Sequence, residues 1–274
     1  MGESRGVIVV TGAGGMGSAI ARRIGTGSTV LLADVDDGLL EVEVRSLTAV
    51  GYDVVSHIVD VSRQESVDSL AAEAAARGPV TAVVHTAGLS PVQAPVDAIM
   101  RVDLLGTALM LDAFGAVISS GGAGVFISSM AGTMATLDPG FERRLATTPT
   151  RQLLDLAELA PGAVADPETA YVVAKRANQV RVAAASLAWG RRGARVNSIS
   201  PGVIATPMGA SELEGPSGQV MQAMIAGGAT GRIGTPEDIA GVVDFLVGRD
   251  AGYITGTDVL VDGGVVASLQ APPA

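Results

Sequence analysis

The chain has 274 residues, 48% of them hydrophobic and 17% charged, which is ample for a buried core and excludes a disordered chain. A net charge of -10 argues against nucleic acid or a polybasic membrane patch as partner. With no cysteine there are no disulfides, zinc thiolates or thiol catalysis, and His57 and His85 are too isolated to suggest a metal site.

Met1-Gly2-Glu3-Ser4-Arg5 leads directly into a β-branched run at Val7. No signal peptide or spanning segment is expected, so the cytoplasm is the expected compartment. An opening Met-Gly starts a myristoylation signal, but position 6 is Gly6 where Ser or Thr is needed.

Short β-branched runs then alternate with Ala-rich stretches. Strands are expected at 7–11, 29–34, 53–59, 80–85, 123–129, 194–199 and 257–261, and helices at 15–24, 38–50, 64–77, 95–118, 167–190 and 236–248. Strands apolar throughout, separated by helices, predict an α/β fold with a parallel sheet covered on both faces. With no repeat and no linker-like stretch, residues 1–274 are expected to form one catalytic domain.

The first strand runs into Thr11-Gly12-Ala13-Gly14-Gly15-Met16-Gly17 and then a helix, which fits G-x-G-x-x-G with Gly12, Gly14 and Gly17. Glycines there permit a tight turn and close approach to a pyrophosphate, which the free N–H groups of a helix N-terminus can hold. Asp34 closes the second strand. A carboxylate there accepts hydrogen bonds from ribose hydroxyls and repels a 2′-phosphate, which favours NAD over NADP. It could instead cap the next helix, but Asp36 and Asp37 are better placed. Asp60, at the end of the third strand beside Val61, either meets the adenine or caps the helix after Ser62.

Segment 133–168 breaks the alternation and is too long for a structureless loop. Asp138-Pro139 and Thr148-Pro149 read as starts of short helices within it, and Asp166-Pro167-Glu168 as the start of the helix that follows. That helix carries Tyr171 and, four residues on, Lys175. Lys175 is the only lysine beside seventeen arginines. Positions i and i+4 share a helix face, so a phenol and an ammonium point to one place. The ammonium is expected to lower the phenol pKa and make it an acid/base. Further on, 208–229 is broken by Gly and Pro and reads as mobile, and Gln270–Ala274 as a loose tail. Thr235-Pro236-Glu237-Asp238 marks the last helix start.

With these motifs in order, joined by His85-Thr86-Ala87-Gly88, Ile127-Ser128-Ser129, Asn197-Ser198-Ile199-Ser200-Pro201-Gly202 and Val261-Asp262-Gly263-Gly264, the chain resembles the short-chain dehydrogenase/reductase family in its single-domain branch, from Val7 to about Val266. The resemblance implies a doubly wound Rossmann-type sheet of about seven strands and hydride transfer between a nicotinamide and an alcohol/ketone pair. By the same resemblance Tyr171 is the general acid/base, Lys175 holds the nicotinamide ribose and Ser129 binds the substrate oxygen. Ser128 is a structural hydroxyl. The cofactor lies on Gly12, Gly14, Gly15, Met16, Gly17, Asp34, Asp60, Val61, Ala87, Gly88, Pro201, Gly202, Ile204 and Thr206, with Tyr171 and Lys175. The implied partners are NAD, a small and apolar alcohol or ketone, and copies of the chain itself in a dimer or tetramer.

Four features depart from the family pattern. The glycine loop is one residue shorter. Asp103 stands where an asparagine usually supports a water relay behind the lysine; it is a proton-relay candidate, or it bends or caps its helix. His85 replaces the usual residue before Ala-Gly and is read as structural. The insert separates Ser129 from Tyr171 by 42 positions and is expected to wall or cover the substrate pocket, or to pack on a partner subunit. The competing readings are a non-catalytic NAD-binding sensor or scaffold, and an NAD-retaining epimerase or dehydratase.

Overall fold

In the computed structural model, which describes residues 6–160 and 162–271, seven parallel strands form one sheet in the order β3-β2-β1-β4-β5-β6-β7. The strands are β1 (Val7–Thr11), β2 (Thr29–Asp34), β3 (Asp53–Ile58), β4 (Val80–His85), β5 (Ile118–Ile127), β6 (Arg195–Pro201) and β7 (Asp258–Val261). Strand order reverses between β1 and β4, so the carboxyl ends of those two strands open a crevice, the usual place for a ligand in such sheets. The readings of residues 1–5 and of the final 272–274 lie outside the described residues.

Helices cover both faces. One face buries α1 (Gly15–Ile24), α2 (Asp37–Ala49) and α11 (Pro236–Val247) over Ile8, Val10, Leu32 and Val84. The other packs α3 (Gln64–Arg77), α5 (Thr107–Val117) and the far half of α8 (Pro167–Arg191) over Val9, Val83 and Phe126. Trp189 of α8 fills this layer, set edge-on to Phe126. The central strands are buried on both sides, which is why they read as unbroken apolar runs.

Four elements differ from expectation, the first being β5, which starts at Ile118 rather than at 123 and ends at Ile127. The 95–118 helix is α4 (Val96–Ile99), a π-helical segment Met100–Gly106, and α5. The 208–229 stretch holds two helices, α9 (Pro207–Glu214) and α10 (Gly218–Gly227). Pro207 is at the first turn of α9, where it costs no hydrogen bond, and the glycines fall at helix ends. A further helix, α12 (Val265–Gln270), follows Gly263 and Gly264, both at positive φ.

The insert is ordered. After α6 (Met130–Met134) come α7 (Pro139–Thr147) and 3₁₀ turns at Thr150–Asp155 and Ala157–Leu159. Asp138 caps α7 by accepting from the Phe141 N–H, as its Asp-Pro start predicts. Phe141, Leu145 and Leu153 are buried against Ala170, Val173, Ala174 and Ala177 of α8, and Tyr171 packs against the same cluster. The insert thus lies along the helix that carries the Tyr-Lys pair.

Candidate active site

Ser129, Tyr171 and Lys175 line one cleft with Met16, Gly88, Pro201, Gly202, Ile204 and Thr206. Ser129 comes from the end of β5 and caps α6, its hydroxyl accepting from the Ala131 N–H at 3.1 Å. Ser128 also borders the cleft, but its hydroxyl donates to the Lys175 carbonyl at 2.7 Å, fastening β5 to α8. Its structural reading therefore fits. On α8, Lys175 Nζ stands 5.2 Å from the centre of the Tyr171 ring, as the i, i+4 spacing predicts.

Behind Lys175 lies Asp103, fully buried in the π-helical segment. Its Oδ2 is 3.0 Å from Lys175 Nζ, an ion pair with both partners out of water. Its Oδ1 accepts from the Leu89 N–H at 2.8 Å. A π turn inside an α-helix commonly marks a functional position, and here it carries this carboxylate to the lysine. Any side chain at Gly88 would meet Asp103 Oδ2 and Lys175 Nζ at 3.2 Å, so Gly88 leaves the room the pair occupies.

The electrostatics differ from the sequence-based expectation at Tyr171. Burial pushes the phenol above its ordinary value; the Lys175 ammonium pulls it down, while the Glu212 and Asp103 carboxylates push it up again. Lysine acts in the expected direction but is outweighed. Burial alone would lower Lys175, yet Asp103 and Tyr171 overcome it and hold the ammonium more firmly protonated than usual. Burial raises the Asp103 carboxyl against the pull of Lys175.

The remaining predicted positions lie at the carboxyl ends of β1, β2, β3, β4 and β6. Gly12 has φ +88, and a side chain on it would strike the Thr86 hydroxyl. One on Gly17 would strike the Gly12 carbonyl. Gly14 precedes the first turn of α1, whose N–H groups face the crevice with no side-chain cap. A Cβ on Gly15 would be 2.8 Å from Thr206 Cγ2, so the glycine loop meets the segment after β6. Asp34 is closer to the loop than foreseen. Its Oδ2 accepts from the Ala13 N–H at 2.7 Å and its Oδ1 from the Asp36 N–H at 3.1 Å. Asp36, not Asp34, caps α2. Asp60 Oδ1 accepts from the Ser62 N–H and hydroxyl, which ties the turn before α3, and Val61 is buried beside it. Ala87 is half-buried at the end of β4. His85 is buried, with Nδ1 2.7 Å from the Thr11 hydroxyl; burial first and Lys175 second lower its pKa to about 3.

These residues fit a dinucleotide. The side-chain-free cradle at Gly12 and Gly17, the open α1 N-terminus and a carboxylate at the end of β2 supply what a pyrophosphate and a ribose require.

Sequence reasoning missed Glu212 and Met208, which also line the cleft from α9. Thr206-Pro207 has the cap-and-proline form already read at Thr235-Pro236. Applied there, it would have started a helix at Pro207 and put residues 208 and 212 on one face.

Comparison with known proteins agrees with this geometry. The family model described as Enoyl-(Acyl carrier protein) reductase matches residues 10–140 and 144–266. The short-chain dehydrogenase/reductase bsc3 of Alternaria brassicicola is 42% identical over 97% of this chain and 98% of its own length. The chain belongs to the short-chain dehydrogenase/reductase family. Galactitol 2-dehydrogenase (L-tagatose-forming) of Cereibacter sphaeroides is 30% identical, covering 93% of this chain and 92% of the relative. Among solved structures, levodione reductase superposes with a TM-score of 0.78 over 97% of this chain and 98% of the other, at 24% identity, and so shares the fold. This is a family of oxidoreductases with small-molecule substrates. No helix among the described residues is long and apolar enough to cross a membrane.

Proposed function

We propose that the protein is an NAD(H)-dependent oxidoreductase that interconverts a secondary alcohol and a ketone, with Tyr171 as general acid/base. The observation that carries this reading is the meeting of Ser129, Tyr171 and Lys175 in the cleft that also receives Met16 and Thr206. Galactitol 2-dehydrogenase, by its name, oxidises an alcohol of this kind. In oxidation the carbinol C–H leaves as hydride with both electrons, and the O–H proton passes to the Tyr171 phenolate, leaving a C=O. Ser129 donates a hydrogen bond to the substrate oxygen, and Lys175 stabilises the phenolate. When bound, a nicotinamide dinucleotide supplies the hydride acceptor or donor and, oxidised, a positive charge that favours the phenolate. Gly12, Gly14, Gly15, Met16 and Gly17 hold its pyrophosphate, Asp34 its adenosine ribose, and Ile204 and Thr206 its carboxamide. Asp34 supports NAD over NADP, because a 2′-phosphate beside it would be repelled. Asp103 passes protons between Lys175 and buried water.

The insert packs along α8 beside Tyr171 and, among the described residues, supplies none of the cleft lining, so it does not wall the pocket as expected. Met16, Leu89, Ile127 and Met208, which do line it, favour an apolar carbon frame. A homo-oligomer in the cytoplasm is the proposed state. β7 is an edge strand with an exposed Leu260, and Tyr253 ahead of it is exposed as well.

The test is NADH formation or consumption on a panel of secondary alcohols and ketones, steroids included, with NADP(H) in parallel. Turnover with NAD, reduced roughly 10²–10⁴-fold in Tyr171→Phe while NADH affinity holds, supports the assignment. NADH binding without turnover of any panel member favours a sensor, and equal use of NADP removes the role given to Asp34.

A further inference from the structure

One ionisable group in the cleft has no part in the reaction above. Glu212 lies on α9 four residues after Met208 and three after Gly209, so all three share the face that lines the cleft with Ser129, Tyr171 and Lys175. The helix is fixed at both ends. Thr206 caps its start, accepting from the Gly209 N–H at 3.1 Å, and Gly209 is packed on the Ile204 carbonyl too tightly for any side chain. Just past its end, a Cβ on Gly215 would be 3.0 Å from Val92 Cγ1, and Ser217 donates to Glu168 of α8 at 3.2 Å. The carboxylate is therefore held over the reacting groups by a fixed roof.

Glu212 is half-buried, and no hydrogen bond or ion pair engages its side chain among the described residues. Burial raises its pKa, with Lys175 pulling the other way. Its charge pushes the Tyr171 phenol up, as that of Asp103 does. A half-buried carboxylate without a donor is costly, and a ligand that brings a donor removes the cost.

We infer that Glu212 is a specificity residue whose carboxylate accepts a hydrogen bond from a second hydroxyl of the substrate, so that the favoured substrates are diols or more highly hydroxylated alcohols. A cationic donor is disfavoured, because it would face the Lys175 ammonium. Apolar Met16, Leu89, Ile127 and Met208 around the same cleft suit the carbon frame between the two hydroxyls. This inference rests on the oxidoreductase reading.

Titration calorimetry of cyclohexanol against 1,2-, 1,3- and 1,4-cyclohexanediol, with and without saturating NADH, tests it without turnover. At least one diol is expected to bind wild type tenfold or more tightly than cyclohexanol. Glu212→Leu should abolish that advantage, and Glu212→Gln, which keeps one acceptor oxygen, should retain part of it. Equal binding of all four alcohols to wild type, or a diol advantage that survives Glu212→Leu, overturns the inference. So does a Glu212→Leu variant that loses NADH affinity and keeps the diol preference. Failure of the oxidoreductase reading is seen separately, as absence of NADH binding in the same titrations or as NADH binding without turnover of any alcohol or ketone.

Discussion

Asp103 puts a carboxyl group where the family pattern has a neutral amide, 3.0 Å from the Lys175 ammonium. Part of the Lys175 field is spent on Asp103, and less reaches Tyr171. The groups acting on the phenol are Lys175, Glu212, Asp103 and Ser129. Of these Asp103 raises its pKa, so Asp103→Asn should lower it. Oxidation needs the phenolate, and the rise of kcat/KM with pH should move to lower pH in the variant. An unmoved or alkaline-shifted profile would show that Asp103 does not act on the phenol. His85 gives a second pH effect, on stability. Its folded pKa of about 3 lies below the ordinary 6.5, so the unfolded chain takes up a proton that the fold refuses. The contribution of neutral His85 is complete above pH 6.5 and is lost as pH falls toward 3, at most about 5 kcal/mol. Denaturant midpoints from pH 7 to 4 should fall less in His85→Asn than in wild type; parallel curves would contradict a buried neutral imidazole.

At the scale of elements the insert is held by buried polar ties as well as by its leucines. Arg181 of α8 donates to the Leu145 and Thr148 carbonyls at 2.8 and 3.0 Å and to the Thr150 hydroxyl at 3.0 Å, and Thr150 donates to Asp112 of α5 at 2.6 Å. Arg176 holds Glu142 of α7 with both Nε and Nη2. Arg181→Met leaves buried acceptors unpaired, at about 1 kcal/mol or more, so amides of residues 139–155 should exchange roughly fivefold faster or more while β1 and β4 are unchanged. Uniform acceleration across the sheet would mean that the insert has no separate stability. The ends of β1, β2, β4, α1 and α3 were legible in the sequence because each is set by neighbours a few residues away. The π turn was not. Leu109, Met110 and Leu111 are buried in succession, and a helix apolar on all sides gives no phase from which an extra residue per turn can be read. Nor was the early start of β5. Gly121 and Gly122 look like a turn but belong to the strand, and Gly121 donates to the Gly193 carbonyl across it at 2.8 Å. Within the site, Tyr171 and Lys175 were legible from one helix and Ser129 from motif order, whereas Glu212 depended on a helix that glycine and proline concealed.

Over the whole molecule, the sheet brings residues from β1, β4, β5, β6 and α8 to one edge of the crevice, and the parts of the site that are far apart in sequence touch directly. The glycine loop and the segment after β6 meet where Gly15 faces Thr206. Lys175 sits at the centre of this arrangement, 5% exposed and paired with Asp103. Being the only side-chain amine in the chain, it also makes the molecule a reporter of its own opening. An amine-acylating reagent has one lysine to find, and the folded state hides it. The rate of acylation at Lys175, followed by peptide mass, should therefore track the breathing of the core around it and slow further as NADH is added. Fast labelling of the native protein, unaffected by NADH, would mean that the lysine is open to solvent. Reagents that couple proteins to surfaces or dyes through lysine should likewise leave this core untouched until it unfolds.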